Sequence, residues 1–251
     1  FACEIHLDDS GQIVRYEFYE AIMNSYARMT YSEVSEILEN PVDPRSENLI
    51  PPELATQVDS LNTLCELLLL RRKERGALNF ESQETEMFLD SQGRIEEIRP
   101  VIRLRAHEII EETMRCANSC AAEFLQNRNI PVLYRVHKGP SEERLSSLRE
   151  FLGSAGLGLA GGDTPQPSDY QNVLVACKDR EDASLIQLVL LRSMSRACYQ
   201  SNNEGHFGLN YSVYVHFTSP IRRYSDLLVH RAIKRALSES MDVSKGSDFA
   251  M

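Results

Sequence analysis

The segment HFTSPIRRYSDLLVHR, residues 216–231, carries the densest run of chemically capable side chains in the sequence. Ser219 reads as the N-cap of a helix, with Pro220 at its first position. On a helical wheel with Arg222 at zero, Asp226 falls at about 40°, His230 at about 80° and Arg223 at about 100°. The rest of the wheel is Leu, Val, Ile, Ala and Tyr. A helix apolar nearly all round is buried. Burying unpaired charge costs several kcal/mol, so a charged stripe on it must face a cavity, buried partners or a ligand. The planar fork of arginine suits phosphate, and a helix N-terminus adds free N–H groups that favour anions. Two chemistries therefore stand open: a phosphate contact through Arg222 and Arg223, or a structural Arg222–Asp226 pair at i,i+4.

Other clusters carry less. Asp8 and Asp9 precede Ser10–Gly11 and read as a solvated hairpin tip rather than a metal site. The six cysteines form no C-x-x-C pair. Cys116 and Cys120 lie one helical turn apart, but no His or further Cys completes a site. Scattered reduced thiols point to a reducing cytoplasm. No Gly-rich phosphate loop supports a small-molecule phosphatase or transferase.

The formal net charge of −10 argues against a protein that coats duplex DNA, whose affinity rests on many Lys/Arg–phosphate contacts. It leaves room for a nucleic-acid enzyme that is cationic only in a narrow channel. The longest apolar run, LCELLLL, is broken by Glu66 and is far too short to span a membrane. The N-terminus lacks the basic and cleavage signals of a signal peptide. The chain starts without Met and stops without a closing element, which reads as a piece of a longer protein.

The elements that must position these residues follow a mixed pattern. CEIHL–DDSGQ–IVRYEFYEAIM reads as a hairpin. TYSE, residues 30–33, is a capping box opening a helix. A Pro- and Asn-rich loop follows, then a long helix from about Pro52 to Arg75, ended by Gly76. A second hairpin turns at SQGR. A second long helix runs from Arg103 to about Asn127, with small residues in its latter half. VLYRVH is a short strand, and SEERLSSLREFLGSAG a capped helix. GLAGGDTPQPSDY is a loop within one domain. Two helices follow, at about Ser168–Lys178 and Asp182–Ala197, then NYSVYVHF as a strand before the last helix. Regular βαβ alternation is missing, so the fold class is α+β: long helices between small antiparallel hairpins.

The stretch GHFGLNYSVYVHFTSPIRRYSDLLVHRAI resembles the signature of the RNB (RNase II/RNase R) family of hydrolytic 3′→5′ exoribonucleases. YEAIMNSYARMTYSEVSEILE, RGALNFESQETEM, AHEIIEETMRCAN, LYRVHKGPSEERL and LLRSMSRACY resemble further blocks of that family, in order, so the resemblance covers essentially the whole chain. HFTSPIRRY, NFESQET and GGDTP are more similar to the bacterial RNase R branch than to RNase II. Ser225 departs from the proline that often follows IRRY there.

The resemblance implies two-metal, Mg²⁺-dependent hydrolysis at the 3′ end of single-stranded RNA, releasing nucleoside 5′-monophosphates. It implies that residues 1–251 are one partial catalytic domain. The family's metal-binding Asp cluster, its OB-type RNA-binding barrels and the downstream end of the domain would lie outside it. Tyr31 matches a channel tyrosine near the 3′-terminal nucleotides, and Phe80 a phenylalanine that stacks on terminal bases. Glu111 matches an acid in the RNA-discriminating part of the channel, where a carboxylate accepts from a 2′-OH. Arg222 matches the arginine holding phosphate near the scissile bond. Arg223 joins it as a phosphate contact. His206 lines the channel or is a satisfied buried polar group, and Arg135, His137, His230 and Arg231 stay open in the same way. The expected partner is the RNA 3′ end, with no membrane and no organic cofactor, in a cytoplasmic, monomeric parent. The rival is a non-catalytic RNA-binding module that keeps the channel without the metals.

Overall fold

The computed structural model describes residues 1–39, 52–80 and 85–247. The first hairpin pairs β1 (Ala2–Leu7) with β2 (Ile13–Tyr19). Its tip is held by Asp8, whose Oδ1 accepts from the backbone N–H groups of Ser10 and Gln12, both at 2.9 Å. That is turn chemistry, and it occupies the carboxylate that a metal would need. The capping box forms as the sequence predicts. Thr30 N–H donates to Glu33 Oε2 at 2.6 Å, and Glu33 N–H to Thr30 Oγ1 at 3.3 Å, opening α1 (Tyr31–Glu39). The expected Pro-rich loop lies largely outside the described residues. Next comes α2 (Pro52–Glu74), stopped where Gly76 takes a φ of +73°.

The second hairpin, β3 (Thr85–Leu89) with β4 (Ile95–Pro100), is amphipathic but uncovered. Met87, Leu89, Ile95 and Ile98 are all more than half exposed, while Phe88 lies under the Arg99 guanidinium on the polar side. The long helix α3 (Arg105–Gln126) leads to β5 (Tyr134–Val136). Then follow α4 (Glu142–Ser154), α5 (Pro167–Cys177), α6 (Ala183–Ser193), the short strand β6 (Cys198–Gln200) and α7 (Tyr224–Ser247). These helices and the small antiparallel sheets make the α+β class expected from the sequence.

Two cores organise these elements. The first joins α3, α7, the hairpin β1–β2, and the extended segments around β5 and residues 213–217. The small residues of α3 allow this: Cys120, Ala121 and Ala122 are fully buried. Val229, Ile233 and Ala236 supply the matching face of α7 at i, i+4, i+7 spacing. Phe18 locks the hairpin on, meeting Phe124 at 4.9 Å and Phe217 at 5.5 Å. Burying each such large side chain contributes about 1.5–3 kcal/mol. The second core packs Leu148 and Leu152 of α4 against Tyr170 of α5 and Ile186 and Leu190 of α6. The GLAGGDTP loop closes it. Gly161 sits at φ +86°, and a Cβ there would fall 2.6 Å from Pro165 Cα, so only glycine fits.

Three expectations need correction. Residues 210–217 do not form a strand: Asn210 is left-handed at φ +51°, and Tyr211 makes only an isolated bridge to His206. Arg135 N–H donates to Tyr214 O at 2.8 Å, whereas Phe217 and Thr218 donate to a side chain instead. The strand that does pair with β5 is β6, in a stretch read as the end of a helix and a loop. Finally, α7 begins at Tyr224 rather than at Pro220. Residues 219–223 form a separate turn in which Ser219 O accepts from both Arg222 and Arg223 N–H, at 3.3 and 3.1 Å.

Candidate nucleic-acid interface

One face of α3 organises the site. His107, Glu111, Arg115 and Asn118 fall at i, i+4, i+8 and i+11, a single stripe about 16 Å long. At its upper end the His107 ring stacks on Tyr31, centroids 4.1 Å apart and planes 22° apart. His107 is itself fixed, because its Nδ1 accepts from Leu104 N–H at 3.2 Å. Tyr31 remains 46% exposed, so its ring is supported yet available. One turn down, the Glu111 carboxylate accepts from Arg103 at 2.7 Å and Arg115 at 3.0 Å. Tyr31 and Glu111 are thus brought onto one surface.

Below them the chemistry turns inward. Glu112 is buried and held by Arg72 at 3.1 Å and by Arg115. Arg75, from the end of α2, lies 4.0 Å over the Tyr211 ring, which stacks in turn on Tyr214. A cavity of about 530 Å³ opens beside them, between the β1–β2 tip, α2 and α3.

At the lower end Asn118, 3% exposed, donates to Tyr214 Oη at 2.9 Å. Its Oδ1 accepts from Phe217 N–H at 2.8 Å and Thr218 N–H at 3.2 Å. Immediately beyond, Asp226 is wholly buried. It accepts from Ser219 N–H at 2.8 Å, Arg223 Nη2 at 2.9 Å and Ser225 Oγ at 3.2 Å. Two buried polar side chains therefore set the path of residues 217–223 from both sides.

The consequence falls on the two arginines. The i,i+4 pair read from the wheel does not form, because residues 219–223 are not yet helical. Arg223 pairs with Asp226 instead and is a structural arm of the turn. Arg222 is exposed, and its Nη2 reaches only Ser219 Oγ at 3.4 Å. Among the described residues its guanidinium has no carboxylate partner.

His206 caps the short 3₁₀ turn Phe207–Leu209, its Nδ1 accepting from Leu209 N–H at 3.2 Å. Burial pushes its pKa down to about 3, so it is neutral at pH 7. Its neighbour His137 accepts from Gly208 N–H and binds Ser195 O, both at 2.9 Å, and is satisfied in the same way. Phe80 is half-buried against the second core and is not part of the α3 stripe. Sequence reasoning missed Asn118, although a lone amide in the small, apolar CANSCAA run is the signal of a buried polar hub.

Among the described residues, no group of three His, Cys, Asp or Glu side chains is placed to hold a metal ion. The carboxylates of the site are already engaged: Glu111 and Glu112 by arginines, and Asp226, at the arginine turn, by Ser219 and Arg223. The residues present do not fit a metal centre.

Comparison with known proteins gives the family of the chain. Residues 1–239 match the RNB domain. The chain is 46% identical to Ribonuclease R of Vibrio cholerae and 44% identical to that of Escherichia coli, each over 94% of its length. It spans under a third of those relatives, 28% and 29% respectively. Mycoplasma genitalium RNase R, solved with ribose-methylated single-stranded RNA, superposes with a TM-score of 0.86 at 33% identity. That match covers 92% of this chain and 36% of the other. By sequence and by fold, the chain belongs to the RNB domain family.

Proposed function

We propose that this chain is part of the catalytic domain of a hydrolytic 3′→5′ exoribonuclease, of the RNase R type, that degrades single-stranded RNA to nucleoside 5′-monophosphates. One observation carries the reading: Asp226 and Asn118 lock the arginine turn so that Arg222 projects from it, and the helix that supplies Asn118, α3, also carries Glu111 and supports Tyr31 through His107. Arg222 holds a backbone phosphate through a bidentate, charge-assisted contact. Tyr31, backed by His107, offers a π-face to a base, worth about 1–3 kcal/mol per base and indifferent to sequence. Phe80 offers its uncovered edge in the same way. Glu111 accepts from a ribose 2′-OH, which favours RNA over DNA. Arg223 and His206 serve these contacts by holding the backbone beneath them. The reading also takes residues 1–251 as one partial domain of a cytoplasmic parent. The family's divalent metal would be held by carboxylates outside this set, and the chain's own task is to bind and orient the RNA end.

The test is a gel assay on 5′-labelled single-stranded RNA with Mg²⁺. This chain runs beside a longer one carrying the full length typical of its relatives. The longer chain is expected to shorten the RNA from its 3′ end, and Arg222→Ala to slow it by about 10²–10³-fold, as for loss of a charge-stabilising donor. A longer chain that binds RNA without cutting it would replace the catalytic reading with that of a binding module.

A further inference from the structure

The strand β5 buries Tyr134 and Val136 in the first core and turns Arg135 to the opposite face. There the Arg135 guanidinium lies 4.9 Å over the ring of Tyr199, its cross-strand partner on β6. Tyr199 is 38% exposed, and its hydroxyl meets His216 Nδ1 at 2.6 Å. His216 heads the segment that Asn118 and Asp226 fix, and its ring packs edge-on to Tyr214 at 5.8 Å. Arg135 thus reaches this histidine through Tyr199, while Arg222, six residues further along the segment, lies near enough to act on its charge. Neither arginine has a carboxylate partner among the described residues. Arg223, the third arginine nearby, is neutralised by Asp226. An unneutralised guanidinium held 4.9 Å over a half-exposed aromatic makes the pairing that single-stranded nucleic acid uses: a cation for phosphate with a stacking platform beside it.

We propose that Arg135 and Tyr199 extend the Arg222 site into a second nucleotide subsite, Arg135 taking a backbone phosphate and Tyr199 supporting the adjoining nucleotide. This rests on the RNA-binding reading above; it gives a contact to Arg135, whose role the sequence left open, and adds Tyr199. The neutral state of His216 fits. Burial, with Arg223, Arg135 and Arg222 nearby, pushes its pKa down to about 4, only partly offset by Asp226. An anion seated on either arginine would raise it again.

The experiment measures anisotropy of a fluorescein-labelled oligoadenylate with the 251-residue chain across a potassium chloride series. Each phosphate contact on a single strand contributes about −0.7 to the slope of log K against log salt. Arg135→Gln and Arg222→Gln should each make the slope shallower by about 0.7, while Arg135→Lys restores it. Tyr199→Leu should weaken binding about 5- to 100-fold with an unchanged slope, and Tyr199→Phe far less. A flattened slope in Arg222→Gln but an unaltered one in Arg135→Gln overturns the subsite and leaves the RNA-binding reading standing. No binding by the unsubstituted chain at low salt overturns both. A second measurement guards against a misfolded variant. The His216 ring signal in the unsubstituted chain, identified by its loss in His216→Gln, should titrate at higher pH with oligoadenylate bound. An unmoved titration counts against the proposal.

Discussion

The two ends of the His107–Asn118 stripe on α3 solve the same problem in opposite ways. At the Tyr31 end the groups are exposed, and their partners are long, solvent-facing side chains: Arg103 and Arg115 around Glu111. At the Arg222 end the groups that matter are buried, and their partners are backbone N–H groups: Phe217 and Thr218 on Asn118, Ser219 on Asp226. The first arrangement can yield to whatever nucleotide arrives. The second fixes the backbone that carries Arg222, so that on binding only its side chain remains to be ordered. A surface ion pair contributes between zero and about 1 kcal/mol, whereas an orphaned buried polar group costs about 1–3 kcal/mol and an orphaned charge more. Stability should therefore be concentrated at the arginine end.

The sharpest way to break this contrast is Asp226→Ala. It strands the Arg223 guanidinium and Ser219 N–H, and should cost about 3–5 kcal/mol in urea unfolding. A loss below about 1 kcal/mol would mean the turn is not held as described. Asn118→Leu comes next. It keeps roughly the volume but leaves the Phe217 and Thr218 N–H groups unpaired, at about 1–3 kcal/mol for each group that finds no water. Acid should act on the same end. The folded-state pKa of His216 is about 4 and that of His206 about 3, both below the ordinary 6.5. The unfolded chain takes up those protons first, so stability is fully present above about pH 6.5 and falls as pH drops towards 4. His216→Gln should flatten the urea midpoint between pH 7 and 5, by an amount on the order of 1 kcal/mol. The smallest effect belongs to the other end. Glu111→Gln should change unfolding free energy by less than about 1 kcal/mol, with any larger consequence appearing only in the preference for RNA over DNA.

The same contrast decides what could be read from sequence. The long helices, the capping box at Thr30 and the Asp8 turn were legible because they rest on local periodicity and local hydrogen bonds. So was the likeness of the arginine segment to the RNB signature. The path of residues 210–223 was not. NYSVYVHF alternates as a strand does, and Val213, Val215 and Phe217 do point into the first core. Yet its hydrogen bonds go partly to the amide of Asn118, about a hundred residues away, and no period encodes that. Of the two chemistries open on the wheel, the structural one named Arg222 as the partner of Asp226, whereas the pair that forms is Arg223–Asp226. The wheel takes residues 219–223 as helix, where the Asp226 carboxylate instead bonds Ser219 N–H, seven residues back, and holds a turn. Tyr199 and Arg135 became neighbours only once β6 was found to pair with β5.

The α3 stripe also acts as a ruler with a fixed angular phase. Each residue of an α-helix advances about 1.5 Å and turns about 100°. One residue inserted between Glu111 and Asn118 would lengthen the ruler only slightly. It would swing Asn118 about a quarter-turn away from Phe217 and Thr218 while leaving His107 under Tyr31. Helical phase, more than distance, couples the two ends, so this stretch should accept substitutions far more readily than insertions or deletions.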